Sequence, residues 1–171
     1  MHKVKVASLL AVAVSLSASS ALAAGEPAAP NASQVCKSLR SQMGTQAFKS
    51  AYGTNKNKKN AHGKCVSAQT KALSGQTKGV TNACKAEQAA DAAAFEQKYG
   101  TNKNKNNAYG KCVSSQASAG TKAHVTSIVN AAKLCKAERK ADPAAFTAKY
   151  GTNKNKNNAF GKCVSKTAKA S

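Results

Sequence analysis

A chain of 171 residues with 27 Lys and Arg against six Asp and Glu carries a formal charge of +21. Such an excess raises the local concentration of any polyanion and opposes self-association, so a monomer is expected. Beyond residue 23 only 15 Leu, Ile, Val and Phe are spread over 148 residues, which excludes a fold sustained by a large apolar core: burial on that scale cannot offset an ordering entropy of about 1.5 kcal/mol per residue.

In chain order, residues 1–23 read as a secretory signal. Lys3 and Lys5 precede an apolar run through Leu9, Leu10, Val12, Val14 and Leu16, and Ala21-Leu22-Ala23 forms a small-residue cleavage site. Serines interrupt that run, and no later stretch approaches eighteen apolar residues, so export without a retained anchor is expected. Residues 24–34 read as a mobile tail containing the glycosylation sequon Asn31-Ala32-Ser33.

The remainder is organised by a cassette. YGTNKNKNNAFGKCVS occupies residues 150–165, recurs at 99–114 with Tyr109 for Phe160, and recurs at 52–67 with Lys59 and His62 as its two changes. Each cassette cysteine (Cys65, Cys112, Cys163) has another cysteine 28 or 29 residues upstream (Cys36, Cys84, Cys135). A phenylalanine follows each upstream cysteine 11 or 12 residues on (Phe48, Phe95, Phe146), with a tyrosine four residues later (Tyr52, Tyr99, Tyr150). This ruler divides the chain into unit one at 35–70, unit two at 71–116 and unit three at 117–165, with a basic tail at 166–171. The gaps Cys65 to Cys84 and Cys112 to Cys135 are 19 and 23 residues. They differ by about one helical turn, so the variable part is helix or linker length.

Within unit one, Thr45 is the expected helix cap, and His62, which stands where the other units have a ring, reads as a packed or surface side chain. In unit two, Asp91 caps a helix whose stripe is Phe95 and Tyr99 and whose stop is Gly100. In unit three, Val125, Ile128, Val129, Ala132 and Cys135 follow the spacing of an amphipathic helix. Asp142-Pro143 then starts a second helix with Phe146 and Tyr150 on one face, and Gly151 stops it in the left-handed conformation. Thr152–Asn158 is a polar loop, after which Asn157 or Asn158 caps a third helix carrying Phe160, Cys163 and Val164. The fold class is all-α: three tandem small helical units, each stapled by one disulfide, with flexible joins at Gly75, Gly79 and Gly120.

Fifteen pairings of six cysteines are possible. Pairing within units (Cys36–Cys65, Cys84–Cys112, Cys135–Cys163) leaves no thiol over. Pairing across the gaps would strand Cys36 and Cys163. The within-unit set is the expected one, each bridge contributing roughly 3–4 kcal/mol. Zinc is disfavoured because no Cys-x-x-Cys occurs and His2, His62 and His124 are unrelated by the repeat.

The unit, carried by residues 52–67, 99–114 and 150–165, resembles a repeat of small exported proteins of actinobacteria. That resemblance implies export and supplies no activity, cofactor or partner.

Asn102, Asn104 and Asn106 alternate like calcium ligands, but Lys103 and Lys105 fill the alternate places and Val113 stands where a bidentate Glu is needed. An anion fits better. The loops bring Lys56, Lys58, Lys103, Lys105, Lys154 and Lys156 to a helix N-terminus. Gly63, Gly110 and Gly161 leave its first turn open to a phosphate, sulfate or carboxylate, and Lys64, Lys111 and Lys162 follow. The same residues also serve a plainer purpose, in which asparagine caps, glycine relieves crowding and lysine solvates. Twenty-three lysines against two arginines after residue 23 favour point-charge contacts over base reading. The expected partner is an extracellular polyanion, whether cell-wall polymer, acidic polysaccharide or nucleic acid, with an anionic membrane surface as a further candidate. No catalytic constellation, metal site or cofactor is expected, and a secreted or envelope-associated spacer without a specific ligand is the rival reading.

Overall fold

Each acidic cap expected from the sequence opens a helix. Asp91 accepts the amide hydrogen of Ala94 at 2.9 Å, and Asp142 accepts that of Ala145 at 2.8 Å with Pro143 in the first turn. These bonds satisfy amides that a helix start otherwise leaves unpaired. The computed structural model describes residues 30–170, within which the helices are α1 (Ala32–Met43), α2 (Thr45–Tyr52), α3 (Ala61–Ala90), α4 (Ala92–Tyr99), α5 (Ala108–Ala141), α6 (Pro143–Tyr150) and α7 (Ala159–Lys169). The signal-like segment lies outside the described residues. Among those described, no helix is long and apolar enough to cross a membrane.

All six cysteines are bridged within units, Cys36–Cys65, Cys84–Cys112 and Cys135–Cys163. That chemistry belongs to an oxidising compartment. Each staple ties the helix that carries the upstream cysteine (α1, α3 or α5) to the helix that returns after the cassette loop (α3, α5 or α7), and the phenylalanine of each unit (Phe48, Phe95, Phe146) is buried. Its tyrosine, four residues later, packs against it with the rings tilted and their centroids 4.9–5.0 Å apart.

The joins differ from expectation. Gly75, Gly79 and Gly120 do not bend the chain: they lie inside α3 and α5, continuous helices of 30 and 34 residues. Glycine costs a helix interior about 1 kcal/mol, but each end of each long helix is held by a disulfide and a packed unit, and that tertiary anchoring outweighs local propensity. The four-residue difference between the gaps is one turn of helix. Both tails are also shorter than expected. Asn31 forms a capping box with Gln34, so α1 begins inside the stretch assigned to a mobile tail, and α7 extends through Lys169 into the basic tail. In unit one Thr45 is not the cap: Gly44 takes that place with φ of +80° and offers no side-chain bond.

Helices α3 and α5 run antiparallel, Gln69 meeting His124 near one end and Thr81 meeting Tyr109 near the other. Unit three thereby folds back onto unit one. The two share one core in which Val35, Leu39 and Phe48 pack with Ile128, Phe146, Phe160 and Val164. Unit two stands apart, with a separate small core of Cys84, Phe95, Ala108 and Cys112. Cys65 and Cys84 are 19 residues apart in sequence, about 28 Å along α3.

Why unit three chooses unit one follows from two substitutions. In units two and three a glutamate three residues after the upstream cysteine clamps the short helix. Glu87 pairs with Lys98 at 2.6 Å and accepts from the Tyr99 hydroxyl at 3.0 Å. Glu138 does the same with Lys149 at 2.7 Å and Tyr150 at 2.9 Å. The nearby ammonium, and then the phenol, hold both carboxyls below the usual range. Unit one carries Leu39 and Ala51 at those two positions, which frees an apolar face of α2 for α7. The contact is close: a Cβ on Gly161 would lie 2.6 Å from the Ala51 carbonyl oxygen. Lys136 adds a bond from α5 to the Met43 carbonyl at 2.7 Å, closing the exposed end of α1.

Candidate functional site

The three cassette loops share one construction, and it assigns the lysines unequal tasks. Lys58, Lys105 and Lys156 adopt φ of +57°, +56° and +55°. The ammonium groups of these lysines donate to the carbonyls of Gly53, Gly100 and Gly151 at 2.8, 2.8 and 3.0 Å. Gly53, Gly100 and Gly151 themselves have φ near −70°. The expectation that glycine supplies the left-handed stop is therefore corrected: lysine takes the left-handed turn, and glycine makes room for its stem. A Cβ on Gly100 would lie 2.7 Å from Lys105 Cδ and 2.5 Å from the Glu96 carbonyl oxygen. The bond from Nζ and the packed stem offset a left-handed penalty of about 1–2 kcal/mol.

The asparagines also turn inward. Asn60, Asn107 and Asn158 precede helices α3, α5 and α7 but make no side-chain cap. Each accepts the amide of Thr54, Thr101 or Thr152 at 3.0 Å and donates back to that threonine's hydroxyl at 2.7 Å. Asn102 donates to Asn106, and Asn153 to Asn157 at 2.6 Å. The alternation that resembled a calcium loop is a set of cross-loop amide bonds.

Of the nine cassette lysines expected to face an anion, three are thus committed to loop closure. The other six, Lys56, Lys64, Lys103, Lys111, Lys154 and Lys162, make no side-chain bond within the described residues. The three glycines also divide. Gly63 and Gly110 have open space where a side chain would be, whereas Gly161 is closed by the Ala51 carbonyl and cannot cradle an anion. Units one and three bring their cassettes together across a groove of about 420 Å³, lined by Gly53, Thr54 and Lys58 on one side and by Asn153, Asn158 and Lys162 on the other. Lys103, Lys105, Gly110 and Lys111 belong to unit two, with its separate core.

One polar cluster escaped the repeat-based reading. Gln69, buried in α3, accepts from His124 of α5 at 2.7 Å and lies 3.4 Å from the Tyr52 hydroxyl. His124 matches nothing in the other units, and only the antiparallel pairing of α3 with α5 brings it to Gln69. Burial lowers the His124 pKa below its ordinary 6.5. A depressed folded-state pKa means the unfolded chain takes up the proton first. Stability from this source is therefore complete above pH 6.5 and is lost as pH falls through the folded-state value. Urea unfolding at pH 7.5 and pH 5 should show the wild type losing more stability on acidification than a His124→Gln variant.

Compared against family models, curated proteins and solved structures, the chain has no match in any of the three.

Proposed function

We propose that this protein is an exported, non-enzymatic binder of extracellular polyanions such as wall polymer, acidic polysaccharide or nucleic acid, akin to the exported actinobacterial repeat proteins that its cassette resembles. One observation carries the reading: six cassette lysines, three in self-closed loops (Lys56, Lys103, Lys154) and three in the first turn of the helix that follows (Lys64, Lys111, Lys162), make no side-chain bond among the described residues. Residues 30–170 hold 25 basic side chains against five acidic ones, with two ion pairs among the described residues. Stiff loops present these charges at little ordering cost on binding. The separation of the unit-two cassette from the other two suits a ligand that repeats its charge over tens of ångströms, since linked weak contacts gain avidity only when all can be engaged at once. Lysine point charges suit phosphate, sulfate or carboxylate backbones.

The test is equilibrium binding to heparin and to duplex DNA at increasing salt. Six contacted charges predict roughly a 10³-fold loss of DNA affinity between 50 and 200 mM salt. Absence of measurable binding at 50 mM would leave the spacer reading in its place.

A further inference from the structure

Between units one and three, α2, α3, α5 and α7 line a second, half-open cavity of about 470 Å³, a size common for small-molecule sites. Its wall includes Ala68, Ile128, Val164 and Ala168, with Tyr52, Gln69, His124 and Ser165 as its polar groups and Lys169 on its lining. The repeat shows what is missing here. In units two and three the tyrosine hydroxyl donates to a carboxylate, Glu87 or Glu138. In unit one that carboxylate is replaced by the buried Leu39. Tyr52 keeps the glutamine contact that Tyr99 also has, Gln69 at 3.4 Å matching Gln116 at 3.3 Å. Because Gln69 Nε2 donates to the phenol oxygen, the Tyr52 hydrogen remains, without an acceptor among the described residues. Burial pushes the Tyr52 pKa up to about 12, so that hydrogen is retained at any physiological pH.

We propose that this cavity binds a small carboxylic acid with an apolar body, whose carboxylate accepts the Tyr52 hydroxyl hydrogen and faces Lys169 while its body lies against Ile128, Val164 and Ala168. The ligand's carboxylate accepts from Tyr52 as Glu87 and Glu138 accept from Tyr99 and Tyr150, but from the cavity side, because Leu39 fills the glutamate's own place. Apolar lining with a few convergent polar groups fixes such a ligand by burial and orients it by one charged hydrogen bond. This site is separate from the exposed loop lysines, so the two readings fail separately.

The test is an NMR titration of the full, disulfide-intact protein with decanoate, and with decanol as its uncharged counterpart. Decanoate, with about twelve heavy atoms, should saturate with a Kd on the order of 1 mM or tighter, moving resonances of Tyr52, Gln69 and His124. Tyr52→Phe should weaken it about tenfold. Lys169→Gln, at an exposed position, should weaken it severalfold and decides the matter if the tyrosine variant folds poorly. The proposal is overturned by decanol binding as tightly as decanoate, by both variants binding like wild type, by shifts confined to the exposed loop lysines, or by no saturation at about 10 mM.

Discussion

Replacing Cys135 and Cys163 by serine will lower the melting temperature by roughly 7–14 °C, whereas the same change at Cys84 and Cys112 will melt one end of the molecule and leave the other folded. A bridge closing a 28-residue separation contributes about 3.5 kcal/mol in the chain-entropy model. For a chain of this length each kcal/mol corresponds to about 2–4 °C. Cys135–Cys163 sits in the core that units one and three share, so its loss falls on the whole two-unit assembly. Cys84–Cys112 anchors a core whose other buried members are Phe95 and Ala108. Without that staple the ordering cost of α4 and its loop exceeds what one phenylalanine can return. Hydrogen exchange should then show residues 92–107 unprotected while α1, α2 and α7 keep their native protection. Uniform loss of protection through all seven helices would mean that the two cores fold as one.

Glycines at the same cassette position should respond in opposite directions. Gly161→Ala places a methyl 2.6 Å from the Ala51 carbonyl oxygen. Backbone must shift to admit it, at about 1–3 kcal/mol. Gly110→Ala meets nothing within 4 Å and removes a glycine from a helix, a gain of about 0.5–1 kcal/mol. Urea midpoints should therefore move apart, down for Gly161→Ala and up for Gly110→Ala. Equal midpoints for the two variants would show that α2 and α7 are not in contact in solution.

Much of this fold was legible because its determinants are local. Asp91 and Asp142 announce helix starts, the four-residue spacing of Phe146 and Tyr150 announces a buried face, and the cysteine ruler leaves one economical pairing. What escaped depends on contacts far apart in sequence or on a residue acting against its type. Lysine is a poor guess for a left-handed turn, and nothing near Lys105 in sequence reveals that its ammonium returns to the Gly100 carbonyl. The glycines of α3 and α5 suggested bends because propensity is local, while the staples that anchor those helices lie about one to four turns away. The union of units one and three did leave a trace, the replacement of the Glu and Lys clamp by Leu39 and Ala51. That trace acquires meaning only once α7 is seen against α2. Among the candidate anion ligands, sequence grouped nine lysines as equivalents, and only the loop geometry divides them into three that close the turn and six that make no side-chain bond among the described residues.

That division can be measured with two triple variants of equal charge. One replaces the exposed loop lysines Lys56, Lys103 and Lys154 by Gln, and the other replaces the exposed helix lysines Lys71, Lys78 and Lys122. In DNA binding, the log–log dependence of affinity on salt should flatten by about two to three for the loop variant and by less than about one for the helix variant. Equal flattening by both would show that diffuse charge, and not the cassette, holds the polyanion.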